Sequence, residues 1–211
     1  MTRYGMVIDL RRCIGCDTCS IACKAEHATS RGIMWNRVLK YESGKYPNSR
    51  INFLPVTCMH CQEPECEKVC PTGATHRRDD GIVTIDYDKC IGCRYCMVAC
   101  PYAARYFLDK VRTYYPNYVT AYEELNLDKN ELGAVQKCDF CLERVEQGLQ
   151  PACVVSCPTS ARFFGDLDDP KSEVSRLIRE RDGFVLNPEL NTKPSVYYLP
   201  SEQGATTEEP R

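Results

Sequence analysis

All sixteen cysteines of this 211-residue chain fall into four groups of four, with none left over. The first group is Cys13, Cys16, Cys19 and Cys23; the second is Cys58, Cys61, Cys66 and Cys70. The third is Cys90, Cys93, Cys96 and Cys100, and the fourth is Cys138, Cys141, Cys153 and Cys157. In the third, three cysteines recur at three-residue steps, and a fourth follows four residues on, before Pro101. Three thiolates on so tight a turn can share one metal centre, but a fourth on the same turn points away. Each triple must therefore complete its ligand set from another part of the chain. The groups have to meet in space.

The third group matches the bacterial run for a [4Fe–4S] cluster, in which the last cysteine ligates the other cluster of a two-cluster ferredoxin. An internal repeat says which groups pair. The approach Val7-Ile8-Asp9 to Cys13-Ile14-Gly15-Cys16 parallels Thr84-Ile85-Asp86 before Cys90-Ile91-Gly92-Cys93. Likewise Cys70-Pro71-Thr72-Gly73-Ala74 parallels Cys157-Pro158-Thr159-Ser160-Ala161. Groups one and three are thus one kind, and groups two and four the other.

Groups two and three are joined by residues 71–89, with Asp80-Gly81 as a turn signal and Ile82 to Ile85 as an alternating strand. They read as one complete two-cluster module. Group four followed by group one makes a second, its connection cut and its halves moved to opposite ends of the chain. The expected fold is α+β: two nested ferredoxin-like two-cluster modules with a β insertion and a Tyr-rich insertion. The divisions follow. Residues 1–57 hold the first half of the outer module and the β insertion, 58–104 the inner module, and 105–137 the Tyr-rich insertion. Residues 138–170 hold the second half of the outer module, and 171–211 a C-terminal helix and tail.

Crossing the ligands gives four sets. Cys13, Cys16 and Cys19 take Cys157, while Cys138, Cys141 and Cys153 take Cys23. Cys58, Cys61 and Cys66 take Cys100, while Cys90, Cys93 and Cys96 take Cys70. No ligand position is replaced by another residue type, so four [4Fe–4S] clusters are expected, through iron on all sixteen cysteines. Disulfides would suit a small secreted scaffold, not cluster spacing in a chain this long. Cys₄ zinc sites normally use two separated C-x₂-C knuckles. The closely spaced triples and three Cys-Pro endings argue for iron.

A formal charge of −2, from 27 basic and 29 acidic residues, leaves no nucleic-acid footprint. Apolar runs are only a few residues long, so no span of the membrane is expected. The N-terminus meets a cysteine motif before a signal-peptide core could form, so export and membrane attachment are expected to depend on other subunits.

Between the groups, Asn36 to Tyr41 and Arg50 to Leu54 read as strands around Ser43-Gly44, with Trp35 as packing. Tyr102, Tyr106, Tyr114, Tyr115, Tyr118 and Tyr122 suit either a packed insertion or a docking surface. Leu142 to Gln147 reads as a helix ended by Gly148. Asp169-Pro170 reads as the start of another, with Val174, Leu177 and Ile178 as its stripe and Gly183 as its stop. The polar end, Ser201 to Arg211, reads as loose. His60 reads as a hydrogen-bonding neighbour of group two, and His27 and His76 have no partner pattern. Lys24, Arg94 and Lys137 flank ligand cysteines and either raise cluster potentials or are simply solvated.

The four groups in this order, with Gly165-Asp166-Leu167-Asp168-Asp169-Pro170 after the last, resemble the iron–sulfur subunit of the dimethyl sulfoxide reductase superfamily. The likeness is greatest to the polysulfide, thiosulfate, tetrathionate and arsenate reductase types, and runs over roughly residues 3 to 200. It implies a non-catalytic relay between a large molybdopterin catalytic subunit and a quinone-reactive integral membrane subunit, in anaerobic respiration. It also implies that the cluster of Cys13, Cys16, Cys19 and Cys157 lies nearest the catalytic subunit. The expected location is the extracytoplasmic face of the membrane, held by partners and reached by co-export, with the cytoplasm as alternative. The alternative functions are a polyferredoxin or ferredoxin-like subunit of a hydrogenase or formate-oxidising complex, and a zinc-bound structural adaptor.

Overall fold

The structure is a computed structural model that describes residues 2–126 and 129–201. The expectation of a loose end falls almost wholly on residues 202–211, outside the described residues.

Strand β1 (Tyr4–Asp9) is buried along most of its length, because Met6, Val7 and Ile8 are apolar on both faces. It is the central strand of a three-stranded sheet. It runs antiparallel to β8 (Arg162–Asp166), in register from Tyr4 opposite Asp166 to Ile8 opposite Arg162. On its other edge it runs parallel to β9 (Val196–Leu199). Met6 and Ile8 join the main core, while Val7 packs with Val174 and Leu199 under the C-terminal helix. The chain's first strand is thereby fastened to the segment that follows group four.

The segment between groups two and three makes the same arrangement on a smaller scale. There β4 (Thr75–Arg77), which follows group two, runs antiparallel to β5 (Val83–Ile85), which precedes group three. The backbone repeats as well. Gly15 and Gly92 both sit at φ 67°, each followed two residues on by another left-handed residue, Asp17 at 59° and Arg94 at 66°. Only glycine fits there, since a Cβ on Gly15 would overlap the Phe53 ring and one on Gly92 the Gly133 carbonyl. From these turns start α1 (Thr18–His27) and α3 (Tyr95–Val98). At corresponding places in groups two and four, His60 and Phe140 both take positive φ, 43° and 60°. Their rings stack on each other with centroids 3.7 Å apart.

The β insertion before group two is the hairpin of β2 (Arg37–Ser43) and β3 (Arg50–Val56), two strands on either side of Gly44 as the sequence suggests. In the Tyr-rich insertion, β6 (Tyr106–Phe107) pairs with β7 (Val135–Gln136) and closes its base. Between them α4 (Ala121–Leu125) carries a full capping box, Thr120 with Glu123. The six tyrosines split by position. Tyr102 is buried and bonds the Thr192 hydroxyl at 2.7 Å, Tyr106 accepts from Arg37 at 2.9 Å, and the partly exposed Tyr114 and Tyr122 reach carbonyls of Thr29 and Ala25, whereas Tyr115 and Tyr118 lie exposed against each other.

In group two, α2 (Glu65–Lys68) carries Cys66. Within group four, α5 (Leu142–Glu146) turns back at Gly148, φ 73°, into α6 (Ala152–Val155), which carries Cys153. This turn is what spreads that group. The last helix, α7 (Glu173–Glu180), begins later than Asp169-Pro170 suggests. Asp169 spends its carboxylate on the Lys171 amide, and Ser172 is the cap, accepting from the Ser175 amide. Among the described residues no helix is long and apolar enough to cross a membrane.

The C-terminal end of α7 is tied to β1 by Arg181, whose guanidinium grips both oxygens of the buried Asp9 carboxylate, one at 3.0 Å. Burial alone would raise the Asp9 pKa; hydrogen bonds from Arg181 and the Arg11 amide, with the positive charges of Arg181 and Arg11, lower it on balance. Arg181→Ala should therefore cost about 2 kcal/mol at neutral pH, read as roughly a thirtyfold loss of hydrogen-exchange protection in α7. A lowered pKa means this stabilisation is present above the ordinary carboxylate value of 3.8 and is lost as pH falls through the lower folded value. The variant and wild type should converge there.

Candidate iron–sulfur centres

Three cavities are each lined by four cysteines drawn from two groups. Cys13, Cys16, Cys19 and Cys157 line one; Cys58, Cys61, Cys66 and Cys100 another; Cys70, Cys90, Cys93 and Cys96 the third. Counting space open to solvent, they hold about 340, 350 and 320 Å³. The remaining quartet, Cys23, Cys138, Cys141 and Cys153, is buried, and Cys138, Cys153 and Cys141 act electrostatically on Cys23. Each quartet draws three thiols from one group and one from its partner. Four thiols converging from two groups on one shared space are the donor set that a polynuclear iron–sulfur group takes. Among the described residues, no three His, Cys, Asp or Glu side chains are placed to hold a single metal ion.

The donor chemistry also fits. Burial, then the charge of Cys58, pushes the Cys61 thiol up to about 12, and burial with Asp139 and Cys153 pushes Cys138 up to about 12. Burial raises Cys66 to about 11 against the opposing charge of Arg105. Cys23 and Cys141 are raised as well, by burial and then by the thiols beside them. Without a cationic core these thiols would stay protonated; an iron–sulfur core binds them as thiolates and supplies one-electron redox chemistry.

Backbone and hydroxyl donors meet the outer sulfurs in matching ways. The Thr75 amide reaches Cys70 Sγ at 3.4 Å, and the Ala161 amide reaches Cys157 Sγ at 3.3 Å. Thr72 and Thr159 hydroxyls lie 3.8 and 3.7 Å from the same two sulfurs. Thr18 Oγ1 lies 3.3 Å from Cys16 Sγ and, with its amide, lowers that thiol's pKa.

The quartets adjoin in series. Cys153 feels Cys19 of the first set, and Cys138 feels Cys58 of the third. Arg105 links the third and fourth, donating to Cys66 Sγ at 2.9 Å and hydrogen-bonding Cys96. At the two ends of this series Cys16 and Cys93 are exposed, beside the exposed Ile14 and Ile91.

Of the flanking cations named from sequence, Lys24 caps the carbonyls of Thr29, Ser30 and Ile33, and Arg94 stacks over Phe107 at 3.8 Å. Lys137 is buried and donates to the Val83 and Cys138 carbonyls, so solvation is not its role. His60 accepts from the Val83 amide at 3.1 Å; its Nε2 is buried with no hydrogen-bond partner among the described residues. Sequence reasoning missed three side chains. His27 Nε2 lies 3.3 Å from Cys141 Sγ, with its ring against Trp35. Arg105 and Arg162 are both buried among cysteines. Their signal was present: Cys100-Pro101-Tyr102-Ala103-Ala104-Arg105 and Cys157-Pro158-Thr159-Ser160-Ala161-Arg162 are one pattern.

Two family models match the chain. A 4Fe–4S dicluster domain model matches residues 49–115 and 120–167, and a second of the same description matches residues 7–74. By fold and site the chain is an α+β protein of 4Fe–4S dicluster, ferredoxin-like domains. Among curated relatives, it is 49% identical to a candidate dimethyl sulfoxide reductase iron–sulfur subunit of Halobacterium salinarum, over 97% of this chain and 81% of that one. It is 44% identical to one of the subunits of selenate reductase from Mesobacillus selenatarsenatis, over 92% and 70% of the two chains. With the arsenate respiratory reductase iron–sulfur subunit of a Shewanella species, identity is 38% over 94% and 97%. The chain belongs to the iron–sulfur electron-transfer subunits of the dimethyl sulfoxide reductase superfamily.

Proposed function

We propose that this protein carries four [4Fe–4S] clusters on two nested modules and relays electrons within a respiratory reductase complex. The ligand sets are Cys13, Cys16, Cys19, Cys157; Cys23, Cys138, Cys141, Cys153; Cys58, Cys61, Cys66, Cys100; and Cys70, Cys90, Cys93, Cys96. The observation that carries this reading is the serial arrangement of the quartets, with an exposed cysteine at each end. An electron carrier needs a way in and a way out, and buried centres between them.

The partners at those ends are proposed from the family. One is a molybdopterin catalytic subunit at the Cys13 set, and the other a quinone-reactive membrane subunit at the Cys90 set. The relatives support it by name, as subunits of selenate and arsenate reductases. This chain would then sit at the membrane through those partners, on its extracytoplasmic face. Anaerobically purified protein should hold on the order of sixteen irons and as many acid-labile sulfides. Stoichiometric zinc, or half that iron with free thiols, would sink the four-cluster reading. Affinity purification from anaerobically grown cells, with mass spectrometry, tests the partners: a molybdopterin protein and a polytopic membrane protein are expected, and a hydrogenase subunit instead would refute the assignment.

A further inference from the structure

Two buried guanidiniums lie where neighbouring quartets meet. Arg162 directs Nη2 at Cys19 Sγ, 3.5 Å away, and Nη1 at Cys153 Sγ, 3.7 Å away. These sulfurs belong to different sets. Arg105 repeats the geometry in the other module, with Cys66 and Cys96 as its two sulfurs. Neutral acceptors aim them: Asn36 Oδ1 at 2.9 Å and Met6 Sδ at 3.4 Å for Arg162, and Thr75 Oγ1 at 3.0 Å for Arg105. Both are only 4% exposed, and neither forms a carboxylate ion pair among the described residues.

A buried guanidinium without a counter-charge is strongly unfavourable, and arginine does not escape by losing its proton. Neutral acceptors such as Asn36 and Thr75 cannot compensate that charge. Anionic clusters can, and reduction adds one more negative charge to a cluster that faces the guanidinium through a low dielectric. Resting on the four-cluster reading, we propose that Arg105 and Arg162 are the potential-setting bridges of the relay. Each raises the reduction potentials of the two clusters it touches, so that paired clusters are held close in potential and electrons cross each module without a deep step. One electron enters a cluster, no bond forms or breaks, and the guanidinium keeps its protons.

The test is a dithionite redox titration of anaerobic protein followed by low-temperature electron paramagnetic resonance, with iron content measured on each variant. In Arg162→Met, the clusters of the Cys13 and Cys138 sets should lose at least tenfold in their reduction equilibria, 59 mV for a one-electron couple. The Cys58 and Cys90 sets should hold their wild-type potentials. Arg105→Met should give the reverse. Arg162→Lys keeps the charge without the planar fork, so it should assemble fully and show a smaller shift of the same sign in the same two clusters. That variant carries the test if the methionine variant binds too little iron. Unchanged potentials in Arg162→Lys and Arg162→Met, or an equal shift in all four clusters, would overturn the proposal. A wild-type protein with fewer than four reducible clusters would overturn the four-cluster reading instead, before any variant is compared.

Discussion

Extraction of the iron is expected to unfold the chain rather than loosen it. Cys19, Cys23, Cys58, Cys138 and Cys153 are members of the main hydrophobic core, alongside Met6, Ile8, Met59 and Phe140. Cys66, Cys96 and Cys153 ride on helices of only four residues, α2, α3 and α6, far below what stands alone in water. Arg105, Arg162 and Lys137 would be left buried with no anionic partner among the described residues, a cost of several kcal/mol each. Metal binding in small metal domains contributes on the order of 10 kcal/mol or more. A domain's net stability is only about 5–15 kcal/mol. The metal term is therefore as large as the whole margin. Circular dichroism during anaerobic chelation in mild denaturant should show strand and helix signals lost in step with iron. Iron-free protein that keeps native ellipticity and melts cooperatively would show that the polypeptide holds this fold by itself.

How much of this was legible depended on whether the signal was local. The turn of Cys90-Ile91-Gly92-Cys93 and its repeat at Cys13 are set by glycine and spacing, and both appear with one backbone conformation. The β2–β3 hairpin and α5 were equally readable, because a turn glycine between two strands and a terminal glycine act within a few residues. The start of α7 was not, since Asp169 and Ser172 are both good caps and the choice falls to Ser172, whose hydroxyl also reaches the Asp166 carbonyl. His27 meets Cys141 across 114 positions, and no local pattern marks such a contact. The arginines were hidden for another reason. Arginine is usually exposed, so a repeated arginine five residues after a cysteine reads as surface until its burial is seen. The tyrosines divided because Tyr122 folds back on α1 and Tyr114 on the residues just after it, while Tyr115 and Tyr118 bridge each other at the surface.

Exchange of ligands between groups makes the sharpest demand on a variant. Cys157 lines the cavity of Cys13, Cys16 and Cys19, so Cys157→Ser should convert or lose that cluster although 134 positions separate Cys157 from Cys23. Serine oxygen is a harder, poorer ligand for this iron than thiolate. The side chain is only partly buried and its sulfur accepts from the Ala161 amide, an interaction the serine oxygen can inherit. The chain should therefore still fold with three clusters, and the Cys138 set should keep its signal. Cys23→Ser should do the opposite and do more damage. Cys23 is 5% exposed, and burial with the charges of Cys138, Cys153 and Cys141 already disfavours a lone anion there. Loss of the Cys138 cluster would also strip Arg162 of one of its two sulfurs' charge, so the junction with the Cys13 set should weaken as well. Electron paramagnetic resonance of the two variants side by side separates the cases. If Cys157→Ser removes the Cys138 signal and spares the Cys13 signal, ligands stay within their own groups and the two modules are not nested.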